Sequence, residues 1–252
     1  MTDFSDLLLE LDHWHTAGRT ASFWLRDDDA IQPTPALDRL LDLGKRHTVP
    51  MTLAVIPADT GPELAKRLEN TGQIEVAVHG WAHTNYAPQG QKSRELGPDR
   101  PADAVLGDLS KGLIKLQKLY EARFIPLLVP PWNRLDASLV PHLSALGFLG
   151  VSVFGLEPPN PPLPTLNTHV DLIDWHGNRG GRPGTVLVAE MVVRLQQMAV
   201  SGGALGLLTH HLVHDDPAWA FLDAVMAATS AHPACRWQVA SALLKAGQTS
   251  VT

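Results

Sequence analysis

One cysteine in 252 residues, Cys235, leaves no partner for an intramolecular disulfide. No helix-start motif surrounds it to activate a thiolate, so a catalytic thiol is not expected. Positive charge is also in short supply: 20 Lys and Arg stand against 26 Asp and Glu, a formal net charge of −6. That balance argues against nucleic acid or an acidic membrane surface as partner. No apolar run is long and uncharged enough to span a bilayer. The triplet Leu7-Leu8-Leu9 is interrupted by Glu10 and Asp12, and the residues before it are acidic, unlike a signal segment. The expectation is a soluble cytoplasmic protein. Internal repeats are missing, and no GxGxxG or GxxxxGK[ST] follows any apolar run, which weakens the nucleotide-binding folds.

What the chain does have is alternation. Short apolar runs at residues 20–26, 51–56, 74–78, 125–129, 148–153, 169–175 and 205–209 are separated by segments with helical periodicity. The runs are nearly continuous in apolar residues, as parallel strands covered on both faces are. An N-terminal helix within residues 1–18 and a helical region over 216–252 flank them. The whole, 1–252, reads as one domain, either an α/β barrel or a doubly wound open sheet. Five prolines between residues 157 and 164 mark an extended loop, and a second polar loop spans 84–101.

The polar residues are concentrated where these runs end. The first strand ends in Asp27-Asp28-Asp29, the third in His79-Gly80-Trp81-Ala82-His83, the fourth in Pro130-Pro131-Trp132-Asn133. The sixth ends in Asp174-Trp175 and the seventh in His210-His211. Each piece alone has an ordinary reading: a solvated turn, a core histidine, a capping aspartate. In a (β/α) barrel, however, the C-terminal strand ends share one mouth. Two histidines at i and i+4 reach the same side if the backbone turns helical after the strand, and a carboxylate beside them completes a metal-ligand set.

The order Asp-Asp, His-x-x-x-His, Pro-Pro-aromatic, Asp-x-x-Asp-Trp and Leu-x-His resembles the polysaccharide deacetylase (NodB-homology) domain of the carbohydrate esterases, over roughly residues 20–215. The resemblance implies a distorted (β/α)7 barrel and metal-dependent hydrolysis of an N-acetyl or related acyl group. Carried over by position, Asp27 matches the catalytic base and Asp28 the metal-binding aspartate. His79 and His83 match the metal histidines, Asp174 a carboxylate that tunes the catalytic pair, and His210 the general acid. Pro131 and Trp132 fall in the substrate groove, the Trp132 N–H helping to hold an oxyanion, and Trp81 is expected near it as a sugar-stacking ring. Three positions depart from the pattern. Asp29 stands where glycine usually follows the aspartate pair, and Gly80 where a small hydroxyl residue follows the first histidine. Leu128-Val129 stand where an arginine precedes the proline-aromatic motif, so Arg26 or Arg134 is left to supply a guanidinium. The neighbouring His211 keeps the choice of acid open.

One carboxylate and two imidazoles leave open positions on a divalent ion, Zn²⁺ being the expected one, as catalytic sites do. The expected partner is an N-acylated sugar or sugar conjugate. Two other readings are a catalytically impaired barrel that binds acylated sugars, and a hydrolase of a small cyclic amide.

Overall fold

A computed structural model describes residues 2–249. Helix α1 (Ser5–Thr16) leads into β1 (Ala21–Ala30), the longest strand, followed by α2 (Pro35–His47), β2 (Met51–Val55), α3 (Pro62–Leu68) and β3 (Ile74–His79). After an irregular loop come α4 (Ala102–Tyr120), β4 (Phe124–Val129), α5 (Val140–Leu146), β5 (Gly150–Val151) and β6 (Val170–Asp171). The remainder is α6 (Gly184–Ser201), β7 (Leu205–Thr209), α7 (Asp216–Ser230), β8 (Cys235–Trp237) and α8 (Ala240–Thr249). The helix starts follow local chemistry. Thr34 accepts the Leu37 N–H at 3.0 Å with Pro35 behind it, and Asp215 accepts the Ala218 N–H at 2.9 Å.

All strand pairs are parallel, in the order β5-β4-β3-β2-β1-β7-β6. Bridges from Val151 to Thr165 and from Phe154 to Thr168 tie the chain after β5 to the chain before β6. The seven strands thereby make the distorted (β/α)7 barrel expected from the sequence, not an open doubly wound sheet. Strand β8 was not foreseen, because three residues are too few to show a period. Phe23 pairs with Leu205 on one edge and Trp237 on the other. Strand β8 thus takes the first half of the β1 edge, and β2 takes over from Arg26.

Alternation along the strands sorts the core into two clusters. Trp24, Ala54, Ala77, Leu127 and Val129 fill the barrel interior. Trp24 is fully buried and donates its indole N–H to the Asn167 carbonyl at 3.2 Å. Gly206 is required beside it, since a Cβ there would lie 2.4 Å from the Trp24 indole nitrogen. Phe23, Leu25, Leu205 and Leu207 face outward onto the helices, among them Leu11, Leu37, Leu40 and Leu195. On β1, therefore, Trp24, Arg26 and Asp28 share the inner face, while Phe23, Leu25 and Asp27 share the outer one.

Candidate metal and catalytic site

The three aspartates that end β1 have three different surroundings. Asp27 continues the outer face and is fully buried there. Its Oδ2 accepts the Thr209 hydroxyl at 2.7 Å and the His211 backbone N–H at 2.9 Å, and its Oδ1 lies 2.5 Å from His211 Nδ1. Burial alone would raise its pKa, but the charge and hydrogen bond of His211 outweigh burial and hold the carboxyl below its ordinary value. Burial likewise depresses His211, and Asp27 more than restores it, leaving the imidazole raised. This pair clamps the turn after β7 from outside the barrel.

Asp28 continues the inner face and reaches the mouth. Arg26, wholly buried two residues earlier, sets Nε 2.9 Å from Asp28 Oδ1 and donates from Nη2 to Oδ2 at 3.0 Å. The same guanidinium donates to Asn133 Oδ1 at 2.7 Å and to the Ser152 hydroxyl at 2.7 Å. The guanidinium beside Asp28 thus comes from β1 itself. Arg134 is occupied elsewhere, donating to the Ser93 carbonyl at 2.6 Å.

Asp29 escapes the alternation. Between Asp27 and Ala30 the pairing with β2 slips, three steps on β1 matching two from Leu53 to Val55, and Asp29 has φ +73°. This β-bulge turns the extra residue toward the mouth, so consecutive carboxylates face the same space. Asp29 Oδ1 lies 3.1 Å from His79 Nε2 and 3.4 Å from His83 Nε2. Burial would raise Asp29, but the hydrogen bond and charge of His79, with the charges of His210 and His83, hold it well below the usual carboxylate range.

At this strand the groups that meet the two histidines lie one residue further on than the sequence-based reading expects. Asp28, expected as the metal ligand, is paired with Arg26, and it is Asp29 that lies within reach of both His79 and His83. Asp27, expected as the base, faces away from the mouth.

His79 ends β3 with its Nδ1 2.9 Å from the Val129 carbonyl. That oxygen can only accept, so Nδ1 carries the proton and Nε2 is left for a ligand role. The segment after His79 is not helical, contrary to expectation: Gly80 has φ +58° and His83 φ +53°. The two left-handed residues, not a helical turn, bring His83 back over His79, with ring centroids 5.1 Å apart. One atom each of Asp29, His79 and His83 lies within 4.8 Å of the others, a spacing one divalent ion can bridge.

Opposite this trio, His210 Nε2 lies 3.9 Å from Asp28 Oδ2. Its backbone N–H points to His214 Nε2 at 3.4 Å. Burial pushes His214 down to about 4, so its ring is neutral and free to accept. His210 Nδ1 is buried without a hydrogen-bond partner among the described residues, and the ring packs edge-on against Trp175 at 4.7 Å. His211 is sealed against Asp27, so His210 is the imidazole that faces the mouth.

A second carboxylate that feels the His210 charge is Asp171, whose pKa burial raises while that charge opposes the rise. Asp171 accepts from the Trp175 indole at 2.9 Å and the Ile173 N–H at 3.0 Å. Asp174, expected in that role, instead accepts the Gly177 N–H at 2.9 Å and caps a turn. Trp132 packs on His83 with centroids 4.2 Å apart and adopts φ +55°. Trp81 is half-buried, and its carbonyl accepts the Ala58 N–H at 2.8 Å. Pro131 is buried, with its ring close against Gly80.

Sequence reasoning missed Glu95, which is 1% exposed within the 84–101 loop. Its carboxylate accepts the backbone N–H groups of Trp81 at 3.1 Å and Ala82 at 2.8 Å. A lone glutamate in a polar loop carries no sequence signal for that placement.

A family model described as polysaccharide deacetylase matches residues 20–151, just over half of the chain. Among solved structures, a protein assigned as a polysaccharide deacetylase from Mycobacterium smegmatis is similar at 18% identity and TM-score 0.71. The match covers 93% of this chain and 92% of that one. The peptidoglycan deacetylase PdaC from Bacillus subtilis matches at 18% identity and TM-score 0.57, over 92% and 95% of the two chains. A mutant of BA3943, a CE4-family pseudoenzyme with restored enzymatic activity, matches at 19% identity and TM-score 0.60, over 89% and 68%. At such identities these structures speak for the fold. No curated protein matches the sequence.

Proposed function

The chain belongs to the polysaccharide deacetylase family, whose members hydrolyse N-acetyl amide bonds, and on that premise we propose that it is a metal-dependent deacetylase of an N-acylated amino sugar or sugar conjugate. The observation that carries the reading is the convergence of Asp29, His79 and His83 beside the Arg26-bound Asp28 and the open His210. The donor set fits a divalent ion, with Zn²⁺ the ion best suited to one carboxylate and two imidazoles. When bound, such an ion supplies Lewis acidity, polarising the acyl oxygen and lowering the pKa of water toward about 7.

The chain's own groups divide the remaining work. Arg26 fixes the orientation of the Asp28 carboxylate, which takes the proton from the attacking water. His210, across from Asp28, gives a proton to the departing amine, a poor leaving group without one. The family resemblance assigns the backbone N–H of Trp132 to the developing oxyanion. The rings of Trp132 and Trp175, each leaning on a site histidine, flank the mouth and offer faces for sugar.

The two departures that favour a binding-only barrel have another account under this reading: Arg26 beside Asp28 serves as the guanidinium, and Asp29 beside His79 and His83 serves as a ligand. The test is acetate release from an N-acetylated chito-oligosaccharide by metal-loaded protein, before and after chelation. Release that chelation abolishes is the expected result. Glycan binding with no acetate release in any metal-loaded form would overturn the enzyme reading in favour of a sugar-binding barrel.

A further inference from the structure

The turn that returns His83 to His79 has an unusual support, and this inference rests on the proposed metal reading. Gly80 has φ +58°. A Cβ at that position would lie 2.0 Å from Glu95 Oε2 and 2.6 Å from Pro131 Cγ. The volume that a side chain at position 80 would fill is therefore already taken by a carboxylate arriving from another loop. That carboxylate accepts from two consecutive backbone N–H groups, those of Trp81 and Ala82, which lie between the two histidines.

The loop that delivers Glu95 is itself fastened. Arg94 donates from Nε and Nη2 to Asp99 at 2.6 and 2.8 Å, and the Arg94 N–H and Ala87 N–H both bind Asn85 Oδ1. Leu96 bridges to Leu135, its carbonyl accepts the Asp136 N–H at 2.8 Å, and Arg134 holds the Ser93 carbonyl. The loop thus joins the His79–His83 turn to the Pro131-Trp132-Asn133 turn on the far side of His83.

We infer that Glu95 is a positioning residue for the metal site, presetting His83 through the Trp81 and Ala82 N–H groups in place of a side chain at position 80. Two half-buried N–H donors and two left-handed residues would otherwise lack this fixed arrangement. Outer partners of this kind commonly change metal affinity by about 10–100-fold.

The experiment is Zn²⁺ titration of the full chain, by competition with a chromophoric chelator, for wild type, Glu95→Ala and Glu95→Gln. Thermal melts of the metal-free proteins run alongside. Glu95→Ala is expected to bind Zn²⁺ at least about 10-fold more weakly. Glu95→Gln keeps one carbonyl acceptor and should fall between Ala and wild type. Equal affinity for Glu95→Ala and wild type overturns the inference and leaves the metal site intact. Glu95→Gln as weak as Glu95→Ala also overturns it, since charge and not hydrogen bonding would then be the cause. Wild type that binds no Zn²⁺ or other divalent ion overturns the metal reading itself, and this inference with it.

Discussion

The two faces of β1 end in the same residue type and do opposite things. On the inner face Asp28 is held by Arg26 with its remaining surroundings open toward His210 and the mouth. On the outer face Asp27 is held by Thr209 and His211 with every contact closed. Both carboxylates are buried and both sit against a cation partner. What separates the two is the direction each faces, and one residue of strand alternation sets that direction.

Exchanging the two residues is the strongest way to break the comparison. Asp28→Asn should lower turnover of an N-acetylated chito-oligosaccharide by about 10²–10⁴-fold while metal content stays intact. Asp27→Asn should leave turnover per folded molecule within a few-fold of wild type. The reverse pattern, measured on metal-quantified protein, would return the base to Asp27.

Stability separates the faces next. Asp27→Asn breaks a buried pair and should cost about 3–5 kcal/mol in urea unfolding. The cost depends on pH with a definite sign. Asp27 is depressed below its ordinary 3.8, so its contribution is present above that value and fades as pH falls through the depressed one. His211 is raised above its ordinary 6.5, so its contribution is present below that value and fades as pH climbs through the raised one. The stability gap between wild type and Asp27→Asn should therefore be widest between about pH 4 and 6.5 and shrink on the alkaline side. A gap that widens with rising pH would mean that the pair is not an ion pair. Arg134→Ala should have the smallest effect, under about 1 kcal/mol, as only a loop tether is lost. A collapse of turnover in that variant to the level of Asp28→Asn would show that Arg26 is not the guanidinium that matters.

The strand ends were legible as the place of chemistry because ionisable residues stop apolar runs, and His79, His83 and His210 were found that way. The register of the aspartates was not, because the period of two counts Asp28 inward and Asp29 outward. Only the bulge between Asp27 and Ala30 reverses the latter. The inward set Trp24, Arg26, Asp28 was available to simple counting and already placed Arg26 under Asp28. Asp171 was passed over for Asp174 because β6 is only two residues long and offers no parity to count. Glu95 was invisible, since nothing in a polar loop says which of its charges folds back under a distant turn.

The pairing of β8 with the first half of β1 also has a consequence for how the chain assembles. The strand that bears Asp28 and Asp29 is made early, yet its lower edge is completed only by Cys235–Trp237. The Gln238 side chain then fastens to the Ser22 hydroxyl at 2.7 Å, 216 residues apart in sequence. Closing so long a loop is slow and entropically costly. Until it closes, the lower edge of β1 is an open template for other strands. A chain that stalls in synthesis before Cys235 would leave that edge bare, and aggregation through β1 is the failure this topology invites.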